Sequence, residues 1–439
     1  MWEEECRKRI EADPTTHKKA AARQNYYLNH CSFNRGGEGL EAVYIPKIFD
    51  AHTKQKFEWI VETTYGIFEK MIRHYLEDAQ YRKLFGFPKE IEELICVPNL
   101  YDSYLPQARF DIFYHEEDES FGFCEINADG AGAMNRQNEL FYSLRYNRLY
   151  QELDGEFAHM DPVEACVQAI LETYETYEKK VERPNIAILD FLKDDSSYAE
   201  FLVHAQRYRE RGYDAQVYDV REMRYRDGVL YAPDGMAIDL VYRRAVTTDL
   251  IAHWDEVQDF LQAIRDQNVC VMGSLCTQVV HNKMLSIVIH RPETTAILTE
   301  EEAAFVKEHF PWTERLDASK MEEYCKDKDR WIIKPLDSYM CTGVWLGADL
   351  TDSEWRERLA ECAGSPYIIQ EVYPYERTPN IDFDEKDPQF KPYINMEGLY
   401  VFGGKLGGVF HRQAVGNAII SEVNERSLPT VFRTGTGNL

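Results

Sequence analysis

The chain lacks the short motifs that mark several large enzyme classes. Its ten cysteines are scattered and never form a CxxC pair, so neither a zinc ribbon nor a thioredoxin motif is indicated. No HExxH sequence, no GxxxxGK[ST] loop and no complete GxGxxG fingerprint occurs. These absences argue against a zinc protease, a P-loop nucleotidase and an ordinary dinucleotide-binding enzyme.

Positive charge and long apolar runs are also scarce. The chain has 50 basic and 76 acidic residues, a net charge of −26, which would repel a phosphate backbone and disfavours nucleic acid as a partner. The apolar run at residues 186–189 is cut short by Asp190, and no segment approaches the length that a membrane span needs. The segment from Met1 to Ala20 alternates charges without an apolar core, so we expect a cytoplasmic protein with free thiols and no membrane contact.

The composition is that of a folded chain, with 44% hydrophobic and 13% aromatic residues among 439. At about 150 residues per domain this length suggests about three folding units. Apolar spacing predicts a helix over residues 49–76 with a buried face made of Phe57, Ile60, Val61, Phe68 and Ile72. Asp161 followed by Pro162 predicts a helix start, with the helix running to about residue 180 and burying Cys166, Ile170 and Tyr174.

The middle and the end of the chain differ in their predicted secondary structure. Strands predicted at 185–192, 215–218 and 238–242, with a helix at 196–211 closed by Gly212, indicate a parallel α/β sheet. The last third favours short strands at 331–334, 343–346, 367–372, 398–402 and 408–412, with tight antiparallel turns at its glycines. The predicted fold class is therefore α/β in the middle and α+β at the end.

Four polar residues lie on two strands that we expect to form a hairpin. Alternation places Arg109 and Asp111 on one face of the first strand and Glu125 and Asn127 on one face of the second. Carboxylate and amide oxygens suit Mg²⁺, which usually takes one or two carboxylates and completes its shell with water and nucleotide phosphate. The plainer interpretation is the polar face of an ordinary hairpin, with Arg109 paired to an acid.

Three further segments carry candidate binding residues. Lys334 ends an apolar strand, and the following loop, with Ser338 and Gly343, could fold over phosphates. Gln370 and Glu371 end another apolar strand and resemble a hinge that reads an adenine edge. Arg412 follows a glycine-rich turn. Taken alone, strands that end in such residues are more often core strands with a solvated end, and a lone strand arginine is more often a surface residue.

Together these segments resemble the ATP-grasp ligases, in which strand lysines bind phosphate, a Gln–Glu hinge holds adenine and an RxD…ExN pair binds magnesium and phosphate. Here the RxD…ExN pair comes long before the hinge in the chain, an order similar to the circularly permuted group typified by glutathionylspermidine synthases. The sequence EINAD at 125–129 is close to the EYNAD motif of that group. The segment DLVYRR at 239–244 and the pair Asn282–Lys283 also resemble it, and the likeness covers most of residues 108–421.

The resemblance implies a circularly permuted ATP-grasp fold with a preATP-grasp-like, Rossmann-like domain. The implied segments are a helical region at 1–90, a part of the ATP-grasp domain with the metal-binding hairpin at 91–155, the preATP-grasp-like domain at 156–275, and a nucleotide-binding portion with lid, hinge and C-terminal strands at 276–439. No segment of this sequence resembles the amidase domain that some members carry.

The resemblance also implies an ATP- and Mg²⁺-dependent ligase that joins a small-molecule or peptide carboxylate to an amine through an acyl phosphate. Two Mg²⁺ ions would be held by Asp111, Glu125 and Asn127. The nucleotide would be bound by Lys283, Lys334, Ser338, Gly343, Gln370 and Glu371. Arg109 and Arg412 would hold the transferred phosphoryl group and the oxyanion.

The chain departs from the synthases at two loops. Residues 336–343 replace their Gly–Arg–Glu–Gly-like loop, and residues 130–136 replace the small hydroxyl or thiol residues near glutathione. The likeness therefore implies the ATP chemistry but neither glutathione nor spermidine as substrate. Two other functions stay open at this point: a non-catalytic ATP- or metabolite-binding protein that retains the fold, and an acidic interaction protein with an ordinary α/β core.

Overall fold

The computed structural model describes residues 2–32, 40–153, 155–192, 197–336, 343–420 and 424–434. Within these ranges the chain is a mixed α/β protein. Its helices are α1 (Trp2–Ala12), α2 (Pro14–Leu28), α3 (Ala51–Glu77), α4 (Ala79–Arg82), α5 (Lys89–Ile95), α6 (Met134–Ser143), α7 (Arg148–Gln151), α8 (Pro162–Tyr174), α9 (Ser197–Glu210), α10 (Thr247–Ala252), α11 (Gln258–Arg265), α12 (Gln278–His281), α13 (Leu285–Val288), α14 (Pro292–Thr295), α15 (Glu300–His309), α16 (Met321–Lys326) and α17 (Asp352–Cys362).

The strands of the same ranges form several separate sheets. They are β1 (Lys47–Phe49), β2 (Gln107–Tyr114), β3 (Phe121–Asn127), β4 (Phe157–Ala158), β5 (Ile186–Asp190), β6 (Ala215–Asp219), β7 (Arg224–Arg226), β8 (Val229–Tyr231), β9 (Ala237–Ile238), β10 (Leu240–Arg243), β11 (Cys270–Met272), β12 (Thr313–Arg315), β13 (Trp331–Pro335), β14 (Trp345–Leu346), β15 (Tyr367–Glu371), β16 (Arg377–Ile381), β17 (Phe390–Phe402), β18 (Lys405–Ala414), β19 (Glu425–Ser427) and β20 (Thr430–Arg433).

Three sheets position the site described below. The main sheet has the order β19-β18-β17-β2-β3, with β16 also paired to β17. The parallel sheet has the order β11-β10-β5-β6, and the hinge sheet has the order β12-β15-β13-β14 with antiparallel pairs. Two small sheets, β1-β20-β4 and β7-β8-β9, complete the set. The main sheet therefore joins strands from near residue 110 to strands from near residue 400.

Helix α3 forms as its apolar spacing predicts and covers the back of the main sheet. Asp50 caps it by accepting a hydrogen bond from the Thr53 amide at 2.7 Å. The five residues predicted for its buried face are all fully buried. Phe68 meets Phe110 of β2 edge to face, with ring centroids 5.5 Å apart, so this helix fixes the strand that carries Arg109 and Asp111.

The predicted parallel unit is confirmed. Strand β5 pairs in parallel with both β6 and β10, and α9 crosses between β5 and β6. Asp161 accepts a hydrogen bond from the Glu164 amide at 3.0 Å and so caps α8, but the helix ends at Tyr174 rather than near residue 180. Gly212 has a φ of +88° after α9, a backbone conformation that glycine adopts without strain.

The antiparallel part differs from its sequence prediction in strand length. Strand β17 has 13 residues instead of the five predicted at 398–402. It is longer because its C-terminal part pairs with β2 on one edge, its N-terminal part pairs with β16, and β18 pairs along the other edge. The strand predicted at 343–346 is shorter in the structure, where β14 comprises only Trp345 and Leu346. The division of the chain into four domains remains a prediction.

The nine cysteines within the described ranges are all free thiols. None of the helices in these ranges combines the length and the apolar character that crossing a membrane requires.

The packing of α3 gives a test of stability. Phe68→Ala removes a fully buried ring from the back of the main sheet and should lower the free energy of unfolding by about 3–5 kcal/mol in a urea titration. Tyr26→Ala is the control, since Tyr26 is 68% exposed and should change that free energy by less than about 0.5 kcal/mol. Equal losses in the two variants would contradict the assigned role of α3.

Candidate active site

The centre of the site is the buried carboxylate of Asp111 on β2. Arg109 donates to it twice, from Nε to Oδ1 at 2.7 Å and from Nη2 to Oδ2 at 3.0 Å. Arg412 of β18 donates from Nη2 to Oδ2 at 2.6 Å, and Asn127 of β3 donates from its side-chain amide at 3.1 Å. Asp111 is 1% exposed, so three strands of the main sheet meet at one carboxylate.

The register of the main sheet explains this convergence. Arg109 lies opposite Asn127, and Asp111 lies opposite Glu125. Because side chains alternate along a strand, all four project from the same face, which we call the front face. Gly398 of β17 lies opposite Asp111, and a Cβ there would come within 2.8 Å of Arg109 Cδ and 3.0 Å of Asp111 Oδ1. Glycine at this position therefore leaves the space that the ion pair fills.

Glu125 continues the row of charges away from Asp111. Its Oε1 lies 3.3 Å from Nζ of Lys283, which follows α12. Burial raises the pKa of Glu125, but Lys283 outweighs this effect and holds the pKa below its usual value. For Asp111 burial also raises the pKa, and Arg109 with Arg412 outweighs it, so that pKa is lowered as well. Both carboxylates are therefore ionised at neutral pH.

Lys334 connects the hinge sheet to the edge of the main sheet. Its Nζ donates to Oε1 of Gln370 at 2.9 Å and to the carbonyl oxygen of Cys124 at 3.2 Å. Gln370 in turn donates from Nε2 to Oγ1 of Thr313 at 2.9 Å. Because Cys124 precedes Glu125, the lysine of β13 reaches the same strand that carries the predicted metal ligand.

These elements line a narrow pocket that opens to solvent and has a cavity volume of about 30 Å³. One wall is β3, a second is the segment that joins α12 to α13, and a third comes from β13 and β15. Four of the predicted site residues line it: Glu125, Lys283, Lys334 and Gln370. Phe310 and Pro311 add an apolar surface. A pocket with apolar walls and a few converging charged groups is the usual form of a small-molecule site.

The other predicted residues lie in different places. Arg109, Asp111, Asn127 and Arg412 form the adjoining cluster on the front face. Glu371 is outside the pocket lining and pairs with Arg330. Its backbone amide bonds to the Trp312 carbonyl at 2.9 Å.

The loop that follows Pro335 is described only in part. Gly343 has a φ of +75°, and a Cβ there would lie 2.7 Å from the Tyr367 hydroxyl. Ser338 lies outside the described residues.

The donor set fits a magnesium ion in part. Glu125 and Asn127 supply one carboxylate and one amide oxygen on neighbouring front-face positions, which matches what Mg²⁺ takes from proteins. Both oxygens of Asp111 accept guanidinium hydrogen bonds, so this residue could ligate a metal only by exchanging one of them. Across the described ranges, no three His, Cys, Asp or Glu side chains are arranged to hold a metal ion.

A second buried ion pair ties the front of the main sheet to the parallel sheet. Asp129, just after β3, lies with its Oδ1 2.6 Å from Nη2 of Arg243 at the end of β10, and both side chains are 1% exposed. Its Oδ2 accepts from the Thr247 amide at 2.7 Å and from Gln278 Nε2 at 2.5 Å. Sequence reasoning found the EINAD and DLVYRR segments but did not pair them.

Two other residues near the site were missed. His281 lines the pocket, and its Nδ1 lies 3.2 Å from the Ile126 carbonyl oxygen. Arg136 of α6 lies 3.0 Å from Glu425 beside Arg412. The first is next to the Asn282–Lys283 pair, so proximity in sequence could have indicated it. No local pattern marks Arg136, because its partner Glu425 belongs to a strand near the other end of the chain.

The back face of the same strands holds a buried acid and base. Nδ1 of His411 lies 3.2 Å from Oε1 of Glu397, and both side chains are almost fully buried. Burial raises the pKa of Glu397 to about 8. Burial, reinforced by the positive charge of Lys47, lowers the pKa of His411 to about 3. Near neutral pH this pair is therefore a protonated carboxyl beside a neutral imidazole.

Comparison with known proteins gives a structural match without a sequence match. No protein-family model and no curated protein matches the chain. A glutathione synthetase-like effector from Globodera pallida, solved without ligand, superposes with a TM-score of 0.60 over 95% of this chain and 97% of its own, at 10% identity. The chain has the fold of that synthetase-like effector.

Two other solved structures are more distant. A putative gamma-glutamylcysteine synthetase from Methylobacillus flagellatus gives a TM-score of 0.44 at 11% identity, covering 88% of this chain and 90% of its own. D-alanyl-alanine synthetase A from Vibrio cholerae gives 0.28 at 9% identity, covering 52% and 88%. These two likenesses are too weak to extend the comparison beyond the fold.

The Asp129–Arg243 pair gives a prediction about stability. Arg243→Met leaves a buried carboxylate without its cation and should lower the free energy of unfolding by about 3–5 kcal/mol. Arg148→Met is the matched control, because its pair with Glu152 is solvent-exposed and should contribute about 0–1 kcal/mol. Urea denaturation measures both. A loss in Arg243→Met no larger than the control would show that the pair does not join the two sheets.

The acid on the back face gives a pH prediction. Folded Glu397 keeps its proton up to a pH of about 8, whereas the unfolded group releases it near 4.5, so this residue makes the free energy of unfolding fall as pH rises between those values. In Glu397→Gln this fall in the free energy of unfolding should be smaller. Relative to the wild type, the variant should therefore be more stable at pH 8 than it is at pH 5. Glu58→Gln, at a half-exposed position on α3, should follow the wild-type pH profile. Identical profiles for Glu397→Gln and wild type would contradict the burial of an uncharged acid.

Proposed function

We propose that the protein is an ATP- and Mg²⁺-dependent carboxylate–amine ligase of the circularly permuted ATP-grasp type, resembling glutathionylspermidine synthases in its synthetase portion. The observation that carries this proposal is the convergence of Lys283, Lys334, Gln370 and Glu125 on one pocket. Glu125 comes from the β2–β3 hairpin, which lies far earlier in the chain than the hinge strand β15. The match to the fold of a synthetase-like protein is consistent with this proposal.

The chemistry explains why the pocket needs cations rather than a nucleophile. A carboxylate does not condense with an amine at neutral pH, because its oxygen is a poor leaving group. In the proposed reaction a carboxylate oxygen attacks the γ-phosphorus of ATP and ADP leaves. The amine then attacks the acyl carbon of the resulting acyl phosphate and releases phosphate, forming an amide.

The residues take the following roles in the proposal. Lys283 and Lys334 bind the phosphates of ATP, Gln370 at the hinge contacts adenine, and Gly343 keeps its predicted role in nucleotide binding. Glu371 can contact the nucleotide at the hinge, as predicted, only if its ion pair with Arg330 is first broken. Donors placed in advance of the reaction stabilise charge that develops in the transition state, and losing one commonly costs about 10²–10³ in rate.

Arg109 and Arg412 would contact the transferred phosphoryl group and the oxyanion. Asp111 holds both guanidinium groups on the front face and fixes their direction. Magnesium bound at Glu125 and Asn127 would neutralise charge on the β- and γ-phosphates. Asp111 would be a third ligand only if one of its arginine hydrogen bonds were exchanged for the ion.

The alternative is a non-catalytic nucleotide-binding protein that retains the fold. The observation in its favour is that Arg109 and Arg412 already bind both oxygens of Asp111. Of the two predicted metal-binding carboxylates, Glu125 is therefore the one that can accept an ion more readily, although it is paired with Lys283. Both functions require nucleotide binding, and they differ in whether phosphate is released when a carboxylate and an amine are added.

Nucleotide binding is tested with Lys334→Met. Mg-ATP that binds the native state alone must raise the melting temperature of the wild-type protein. Lys334→Met removes a cation from the pocket and should abolish most of that rise. Lys54→Met, which removes a half-exposed lysine of α3, should retain it. Absence of any rise in the wild type would overturn the proposal.

Catalysis is tested with Glu125→Gln. This change keeps the size of the side chain but removes the charge that would hold magnesium, so phosphate release should fall by about 10²–10³. Binding of ATP without Mg²⁺ should persist, which a fluorescent nucleotide titration measures. Undiminished phosphate release in Glu125→Gln would show that the metal assignment is wrong, and no release by the wild type with any acid and amine would favour the binding protein.

A further inference from the structure

Helix α12 is a single turn that lies against the end of β3. It comprises only Gln278–His281, and its first and last side chains lie on the same side because they are three residues apart. Gln278 donates from Nε2 to Oδ2 of Asp129 at 2.5 Å, and Nδ1 of His281 lies 3.2 Å from the carbonyl oxygen of Ile126. Both ends of this helix therefore hold the EINAD segment.

His281 contacts the peptide groups on both sides of Asn127. The carbonyl oxygen of Ile126 belongs to the peptide bond before Asn127, and the amide of Ala128 belongs to the one after it. Nδ1 of His281 lies 3.2 Å from the first and 3.4 Å from the nitrogen of the second. Nδ1 donates to the carbonyl when it carries the ring proton and accepts from the amide when it does not, so either tautomer holds the ring against this segment.

This contact matters because of where β3 lies in the sheet. In the described chain β3 is the last strand of the main sheet, so the peptide groups on its outer edge have no neighbouring strand to pair with. The pairing of β3 with β2 is also shifted by one residue after Asp111, and Cys124 is the additional residue of β3. The strand ladder alone therefore restrains this end of β3 weakly, and α12 supplies a further restraint.

The side chain of Asn127 is oriented from the other direction. Its Nδ2 donates to Oδ2 of Asp111 at 3.1 Å, which leaves Oδ1 as the atom that can ligate an ion. Lys283, two residues beyond α12, lies 3.3 Å from Oε1 of Glu125. The segment from α12 to Lys283 thus contacts residues on both sides of Asn127 and leaves the Asn127 side chain to the front face.

We propose that His281 is a positioning residue of the candidate site, which holds the two peptide groups beside Asn127 and thereby fixes Oδ1 of Asn127 next to Glu125 as a ligand for magnesium. This proposal rests on the proposed ligase function and adds a residue to its metal site. In this role His281 acts through Asn127 and is not itself a ligand. Groups that orient a metal ligand commonly contribute about 10–100-fold to the affinity for the metal.

The experiment uses the protein saturated with a non-hydrolysable ATP analogue and measures the additional rise in melting temperature that Mg²⁺ produces. The quantity compared is the free Mg²⁺ concentration at half of that rise. His281→Ala removes the contact with both peptide groups and should raise this concentration at least about tenfold. The affinity for a fluorescent form of the analogue in EDTA should stay unchanged, because both pocket lysines and the hinge strand are intact.

Two conservative variants separate the Nδ1 contact from the mere presence of a polar side chain. His281→Asn places an amide group where Nδ1 lies and should restore much of the affinity for Mg²⁺. His281→Gln carries its amide one carbon farther along the side chain and should behave like His281→Ala. His52→Ala is the control and should match the wild type, since the side chain of His52 is 68% exposed at the start of α3.

The outcomes distinguish this role from the proposed function. Equal Mg²⁺ requirements in His281→Ala and the wild type, or in His281→Asn and His281→Gln, overturn the role of His281 and leave the ligase function standing. Loss of analogue binding in EDTA by His281→Ala also overturns it, because His281 would then support the pocket as a whole rather than Asn127. If the wild type does not bind the analogue with or without Mg²⁺, the proposed function itself fails, and the role of His281 fails with it.

Discussion

The front face of the main sheet depends on one buried interaction, the carboxylate of Asp111 held by Arg109 and Arg412. The two arginines belong to strands from opposite ends of the chain, and an unpaired charge at this depth would be costly. Their shared carboxylate sets the register of β2 against β17 and β18 on that face, and Gly398 provides the space. The orientation of both guanidinium groups follows from this single carboxylate, and with it the place where an anion can bind.

A second constraint joins that face to the rest of the molecule. Asp129 and Arg243 connect the end of β3 to the end of β10, so the main sheet and the parallel sheet are held together next to the pocket. On the other side Lys334 reaches the Cys124 carbonyl from the hinge sheet. The pocket is thus framed by the main sheet, the hinge sheet and the segment that joins α12 to α13, and its cations lie within an acidic protein. Such a local excess of positive charge concentrates anionic ligands where the chain as a whole would repel them.

Local signals in the sequence predicted much of this arrangement. The apolar spacing of α3, the Asp161 cap and the alternation in the β2–β3 hairpin depend on neighbours within a few turns or strands, and the structure has all three. Alternation placed Arg109 with Asp111, and Glu125 with Asn127, on one face of their strands, and the predicted hairpin brought the two pairs together. The parallel pairing of β5, β6 and β10 was predicted from the alternation of strands and helices.

Pairing between distant parts of the chain could not be predicted from such local signals. The length of β17 depends on partners on both of its edges, and the pairing of Asp129 with Arg243 depends on how two sheets pack. Arg136 could not be identified, because Glu425 and Phe410 approach it only in the folded chain. Glu371 was assigned to the hinge from its place at the end of an apolar strand, but its side chain lies outside the pocket lining and pairs with Arg330. These interactions are set by tertiary packing, which hydrophobic periodicity does not encode.

The most direct measurement is a crystal structure of the protein with Mg²⁺ and a non-hydrolysable ATP analogue. The account predicts the adenine beside Gln370, the phosphates within hydrogen-bond distance of Lys283 and Lys334, and a metal ion on Glu125. A nucleotide bound elsewhere on the chain, with the pocket between β3 and the hinge sheet empty, would contradict it.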